Sequence, residues 1–135
     1  MDEPLDVSLV RLVADPERFR GRLVRVIGYL EFQFEGNALY LHADDALFSI
    51  SANAVSVEAT RDMRERRALL GGYTLLEAVF DPDATGHRGV FCSGGLVQVR
   101  RCQSWPPECL RRDGSPDAEP GAAPDTAAQI GSGGP

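Results

Sequence analysis

Gly21-Arg22-Leu23-Val24-Arg25-Val26-Ile27-Gly28-Tyr29-Leu30-Glu31-Phe32-Gln33-Phe34-Glu35 alternates apolar and polar side chains over most of its length. Val24, Val26, Leu30, Phe32 and Phe34 fall on one side and Arg25, Tyr29, Glu31, Gln33 and Glu35 on the other, the two-residue period of a strand with one buried face. Gly28 sits on the apolar side in mid-strand. A missing side chain there permits a bulge or a sharp bend, so one long strand can serve two parts of a sheet. The stretch predicts a curved ribbon that wraps its valines and phenylalanines into a closed interior.

Working outward, Gly36-Asn37 is a tight reversal, and Ala38 to His42 returns as a second strand with Leu39 and Leu41 inward and Tyr40 and His42 outward. Asp44 to Ser51 reads equally as a helical turn or a wide loop, and Asn53 to Glu58 as a third strand. Thr60 caps a run of helix formers from Arg61 to Leu70 that ends at Gly71-Gly72. Tyr73 to Phe80 is a fourth strand, Asp81 to Gly89 a polar turn, and Val90 to Arg101 a fifth strand interrupted at Gly94-Gly95. Upstream, Asp6 to Ala14 opens on a good N-cap and carries Leu9, Val10 and Val13 near helical spacing; Pro16 stops that helix and starts one more turn.

After the leading helix the order is strand, strand, strand, helix, strand, strand. This resembles the OB-fold, a five-stranded, partly open barrel, and Gly21 to Gly28 resembles the G-x-x-V-x-V-x-G opening strand common among such barrels. The expected fold is mainly β: an OB-fold-like barrel of five antiparallel strands with an N-terminal helix and a helix between strands 3 and 4. The chain also resembles a group of small uncharacterised bacterial single-domain proteins through Asp15-Pro16 to Gly21, Phe34 to His42, and Phe80-Asp81 with Gly86-His87-Arg88-Gly89. That likeness covers residues 7–105 and implies the fold and a bacterial origin, but no mechanism; Ala78 stands where a Gly is expected beside Glu77.

All 14 basic residues are Arg, which reads as a codon bias and not as a function. The net charge of -6 is uneven: residues 1–60 hold five Arg against ten acids, residues 61–112 nine Arg against six, and the remainder four acids and no base. After Asp113 the composition turns to Gly, Ala, Pro, Ser and acid, too apolar-poor to offset its ordering entropy. The domain is therefore expected over residues 1–110 and a disordered acidic tail over 111–135. The acidic start Met1-Asp2-Glu3-Pro4 lacks an apolar stretch behind it, and no run reaches about 18 apolar residues, so a cytoplasmic protein with no membrane partner is expected. Cys92, Cys102 and Cys109 match neither a zinc knuckle nor a disulfide framework and read as reduced thiols.

Candidate sites divide between chemistry and plain structure. Asp81-Pro82-Asp83-Ala84-Thr85-Gly86 matches the first half of a calcium loop, but its twelfth position is Cys92 instead of a bidentate Glu, so a hairpin turn is favoured. The same residues imitate the D-x-D-x-T motif of haloacid-dehalogenase-like phosphatases, which need a parallel sheet and a Lys this chain lacks. His42, Asp44 and Asp45, joined by His87 from another loop, would make a metal site or general base if they converge; a polar strand edge is the alternative. Tyr29 and Tyr40 face outward on adjacent strands, where they would stack on bases, sugars or a partner, or else form a cross-strand pair under the leading helix. Arg61, Arg64, Arg66, Arg67, Arg100, Arg101, Arg111 and Arg112 read as a solvated face with local ion pairs in preference to a basic patch. Neither a P-loop, a G-x-S-x-G elbow nor a dinucleotide fingerprint occurs.

The expected function is a non-catalytic binding module whose partner is another protein, of the immunity or adaptor type, with Tyr29, Tyr40, His42, Asp44, Asp45, His87 and Arg88 as the contact residues and no cofactor or metal. The alternative is an OB domain for single-stranded nucleic acid or oligosaccharide; net acidity disfavours nucleic acid. A small metal-dependent hydrolase using His42, Asp44, Asp45 and His87 ranks third.

Overall fold

The computed structural model describes residues 3–33, 36–85 and 92–110. They divide between Trp105 and Pro106 into two units, of which the second has only residues 106–110 described. In the second the described part is a single 3-10 turn, Glu108–Leu110, closed by the Leu110 N–H donating to the Pro107 carbonyl at 2.9 Å. The expected tail over 111–135 lies outside the described residues.

The first unit is a closed five-stranded barrel. Its strands are β2 (Leu23–Gln33), β3 (Gly36–Tyr40), β4 (Ala54–Val57), β5 (Gly72–Asp81) and β6 (Gly95–Ser104). They pair in the order β2-β3-β4-β6-β5, and β5 returns to β2 to close the ring, an arrangement compatible with an OB-like fold. A two-residue strand, β1 (Leu5–Asp6), adds to β2 in parallel. The expectation of wholly antiparallel strands is corrected: β4 and β6 are also parallel, with Ser56 opposite Gly95. An odd number of strands cannot alternate direction all the way round a closed ring, so one neighbouring pair must run the same way.

Over Val24 to Phe32 the predicted alternation of the central strand is realised, while Phe34 and Glu35 lie outside the described residues. Val24, Val26 and Leu30 point into one core with Leu39, Val55, Val57, Leu76, Ala78, Phe80 and Leu96. Leu9 and Leu12 of α1 (Leu9–Ala14) and Met63 of α3 (Arg61–Glu65) join the same cluster. Ser8, not Asp6, caps α1, its Oγ accepting from the Arg11 N–H at 3.3 Å, because Asp6 is spent in β1. The helix expected over Arg61 to Leu70 is shorter: α3 ends at Glu65, and Arg67–Leu69 tightens into a 3-10 turn. Thr60 caps it as expected, Oγ1 accepting from the Met63 N–H at 3.1 Å.

The ambiguous stretch after His42 is a short helix, α2 (Ala43–Leu47). Among the described residues no helix is long and apolar enough to cross a membrane. Cys92 and Cys102 are buried and Cys109 exposed, all three as free thiols. Burial pushes the Cys102 thiol up to about 11, so at neutral pH it is a protonated packing group.

Candidate docking face

Tyr29 and Tyr40 stand directly opposite each other across β2 and β3. Their environments differ. Tyr40 is only 3% exposed and packs with Ala38, Ala46, Ala54 and Cys92, a small second cluster on the outer side of the barrel, with Tyr29 against it. The cover over Tyr40 includes Ala46 of α2, so of the two alternatives the covered one holds for Tyr40, with the cover coming from the β3–β4 connection instead of the leading helix. Buried this way, Tyr40 has no free ring face on which a base or sugar could stack. Tyr29 instead meets Tyr73 edge-on, with ring centroids 5.3 Å apart and planes at 79°, the geometry that brings a ring's positive edge to its neighbour's negative face.

His42 is exposed and occupies the N-cap position of α2, without a side-chain cap bond. Asp44 and Asp45 form the first turn, where the helix dipole favours negative charge. The Asp45 carboxylate accepts from the Asn53 amide at 3.5 Å, tying the helix start to the segment beyond it. Among the described residues no group of three His, Cys, Asp or Glu side chains is placed to hold a metal ion. His87 and Arg88 lie outside the described residues.

The sequence pattern did not mark what α2 does with its apolar side chains. Ala46 points to the barrel, while Leu47 is 73% exposed, Phe48 69% and Ile50 43%. The helix and the turn that follows it thus bury the small residue and show the large ones to solvent, the reverse of ordinary amphipathic burial. The turn that presents them is well tied: the Phe48 N–H donates to the Asp44 carbonyl at 3.0 Å and the Ile50 N–H to the Asp45 carbonyl at 2.8 Å. Ser49 between them takes φ 57°, a left-handed conformation uncommon for a residue with a side chain. Three apolar side chains within four residues, ahead of a turn, were the available signal.

A groove of about 620 Å³ adjoins this knuckle, walled by Val7, Leu9, Ile27, Leu41, His42 and Tyr73, with Asp6 and Arg25 at one end. Tyr73 belongs to both features, because its Oη accepts from the Ala43 N–H at 3.1 Å. A second groove, of about 480 Å³, lies along β3 and β4 and is lined by Asn37, Ser56, Glu58, Arg64, Asp83 and Thr85 among others.

The other sequence candidates resolve into structure. Asp81 Oδ1 accepts from the Asp83 N–H at 2.9 Å, and the Asp83 carboxylate is held by Arg20 at 2.9 Å, so both carboxylates of the calcium-like loop serve a turn. Because β5 lies in this barrel and not in a parallel α/β sheet, the phosphatase likeness has no scaffold. Arg61 pairs with Glu65, Arg66 with Asp62, and Arg67 lies over the Phe32 ring. Arg100 and Arg101 converge with Arg25 on the buried carboxylate of Glu77. Arg111 and Arg112 lie outside the described residues. Comparison with protein-family models, with curated proteins and with solved structures finds no match to this chain.

Proposed function

We propose that the chain is a non-catalytic binding module of the adaptor or immunity type, and that it docks another protein through the α2 knuckle. The observation that carries this reading is the inverted burial of α2: Leu47, Phe48 and Ile50 are displayed on a turn that its own backbone bonds hold in place, while Ala46 faces inward. Exposing large apolar side chains side by side is unfavourable for a lone protein and suits a site that a partner covers. An ordered turn also lowers the entropy lost on association.

Asp44 and Asp45 stand at the base of the knuckle, within the acidic half of the chain. The partner that fits is an apolar socket bordered by basic side chains, attracted over distance by charge and held by Phe48 in the socket. A nucleic-acid reading draws less support, since Tyr40 is covered and the β3–β4 groove sets Glu58 and Asp83 against Arg64.

Phe48→Asp, made in the full chain, is expected to leave the melting temperature within a few degrees, because the ring it removes is mostly in solvent. Capture of the native partner should fall by roughly 30-fold or more, the scale of a hot-spot aromatic. Quantitative pull-down from native lysate, repeated at high salt, measures both the loss and the electrostatic share. Recovery of the same proteins by the wild type and the Phe48→Asp variant would defeat the reading, as would a wild-type chain that recovers none.

A further inference from the structure

The two sides of β2 divide its main-chain groups between them. Just ahead of β2, the Arg22 carbonyl accepts from the Phe80 N–H at 2.9 Å on the β5 side, whereas the Arg25 carbonyl accepts from the Val7 N–H at 3.1 Å on the β1 side. Since N–H and C=O alternate in direction along a strand, even-numbered residues of β2 bond to β5 and odd-numbered ones face away from it. On that far side Arg25 is taken by β1 and Val7, and Tyr29 by Tyr40 of β3. Ile27 falls in the gap between them. The pairing with β1 stops at Asp6 opposite Arg25, that with β3 stops at Tyr29 opposite Tyr40, and the Leu41 N–H turns away to the Asn53 carbonyl at 3.1 Å. Among the described residues no hydrogen bond reaches the Ile27 main chain from Val7, Leu41 or His42.

We propose that this gap receives an extended peptide segment of the protein partner, one residue of which exchanges main-chain hydrogen bonds with the N–H and C=O of Ile27. The idea rests on the protein-partner reading above and adds the form of the partner's contact. A donor and an acceptor on the same strand residue are matched by one residue of an incoming strand, the mode known as β-augmentation. Around this pair the groove offers apolar walls for the flanking side chains: Val7, Leu9 and Leu41, with Ile27 39% exposed and Tyr73 41% exposed. Its charged end is already neutralised, the Arg25 guanidinium lying 3.1 Å from the Asp6 carboxylate, which favours a neutral main chain over a phosphate. Tyr73, which lines the groove, accepts a hydrogen bond from Ala43, the first residue of α2, so the groove and the knuckle are tied to the same helix.

The test uses the isotope-labelled full chain and acetyl-Thr-Val-Thr-Val-Thr-amide, a strand-forming probe, beside the same peptide N-methylated at every residue, so that no register keeps a donor toward Ile27. The unmodified probe should shift the amide resonances of Ile27, Val7 and His42 and slow hydrogen exchange at Ile27; N-methylation should weaken it by about tenfold, the loss of one or two main-chain bonds. Ile27→Pro removes the donor from the side of β2 that does not bond to β5, so the barrel ladder stays intact and the probe shifts should vanish. Should that variant fail to fold, the N-methylated probe still decides. Equal affinity of the two peptides, shifts located away from this groove, or no shifts at millimolar probe would overturn the inference. The probe does not engage Phe48, so its failure leaves the pull-down result standing, and a pull-down failure is read independently of the titration.

Discussion

Gly28→Val is expected to destabilise the barrel by about 3 kcal/mol, the upper end for overpacking a close contact, lowering the melting temperature by roughly 10–20 °C for a domain of this size. A Cβ built at Gly28 meets the Tyr40 carbonyl oxygen at 2.7 Å and Leu39 Cγ at 2.8 Å. One of these is backbone. It cannot rotate aside as a flexible side chain would, so β3 must move off β2 at the point where their pairing begins, Tyr29 opposite Tyr40. Gly36 is the control within the same hairpin: nothing lies within 4 Å of a Cβ there, and Gly36→Ala should change stability by no more than about 1 kcal/mol. Urea unfolding of both variants measures the difference, and a Gly28→Val chain as stable as Gly36→Ala would show that the approach of β3 does not require glycine at this position.

That approach marks where the sequence was legible and where it was not. The period of β2 is a local pattern, fixed by which side chains share a face, and it led to the hairpin; the expected turn position is corrected, since Gly36 and Asn37 are not the reversal but the first residues of β3, paired with Gln33 and Phe32. Gly28 signalled a bulge or a bend, whereas the pairing of β2 with β5 runs through it without a shift in register; what calls for a missing side chain is the close approach of the β3 main chain, which no pattern within β2 records. Ring closure was inferred from element order, while the direction of β6 beside β4 follows only from counting strands round a closed ring. At α2 the residues were visible and the orientation was not: Asp44 to Ser51 carries too few residues for a period to declare itself. The covering of Tyr40 could not be foreseen for the same reason, since it depends on the side from which α2 returns. His42, Asp44 and Asp45, which read as a polar strand edge or as part of a metal site, share one helix start beside an apolar knuckle and a groove; their expected companion His87 lies outside the described residues.

The arginines were the least legible feature, because their partner arrives from another strand. On the outer face, register places Arg25, Glu77 and Arg101 in one row across β2, β5 and β6. Glu77 Oε1 accepts from Arg100 Nε at 3.0 Å, and Oε2 accepts from Arg25 Nε and from Arg101 Nη1, both at 2.9 Å. The carboxylate is 4% exposed, covered by the stems of the side chains that neutralise it. Burial by itself raises its pKa, but the hydrogen bonds from Arg100, Arg25 and Arg101 outweigh that and hold it at about 2, against 4.5 for an ordinary glutamate. The folded value lies below the unfolded one, so the stabilisation is complete above about pH 4.5 and disappears as pH falls through about 2.

The size of that contribution is about 3 kcal/mol if the whole shift counts, and roughly 1–3 kcal/mol once solvent screening of the half-exposed arginines is allowed for. Glu77→Gln keeps the shape and removes the charge, leaving Arg100 facing a neutral amide while Arg25 keeps Asp6 and Arg101 keeps Gln103. We expect the variant to lose that 1–3 kcal/mol at neutral pH. Its urea-unfolding free energy should run flatter than the wild type's between pH 4.5 and pH 2, the two curves converging at the acid end. Curves that stay parallel across that window would show that the row of charges does not set acid stability. Curves that converge would assign the acid limb of this barrel to one carboxylate, placed on β5 where β2 and β6 both reach it.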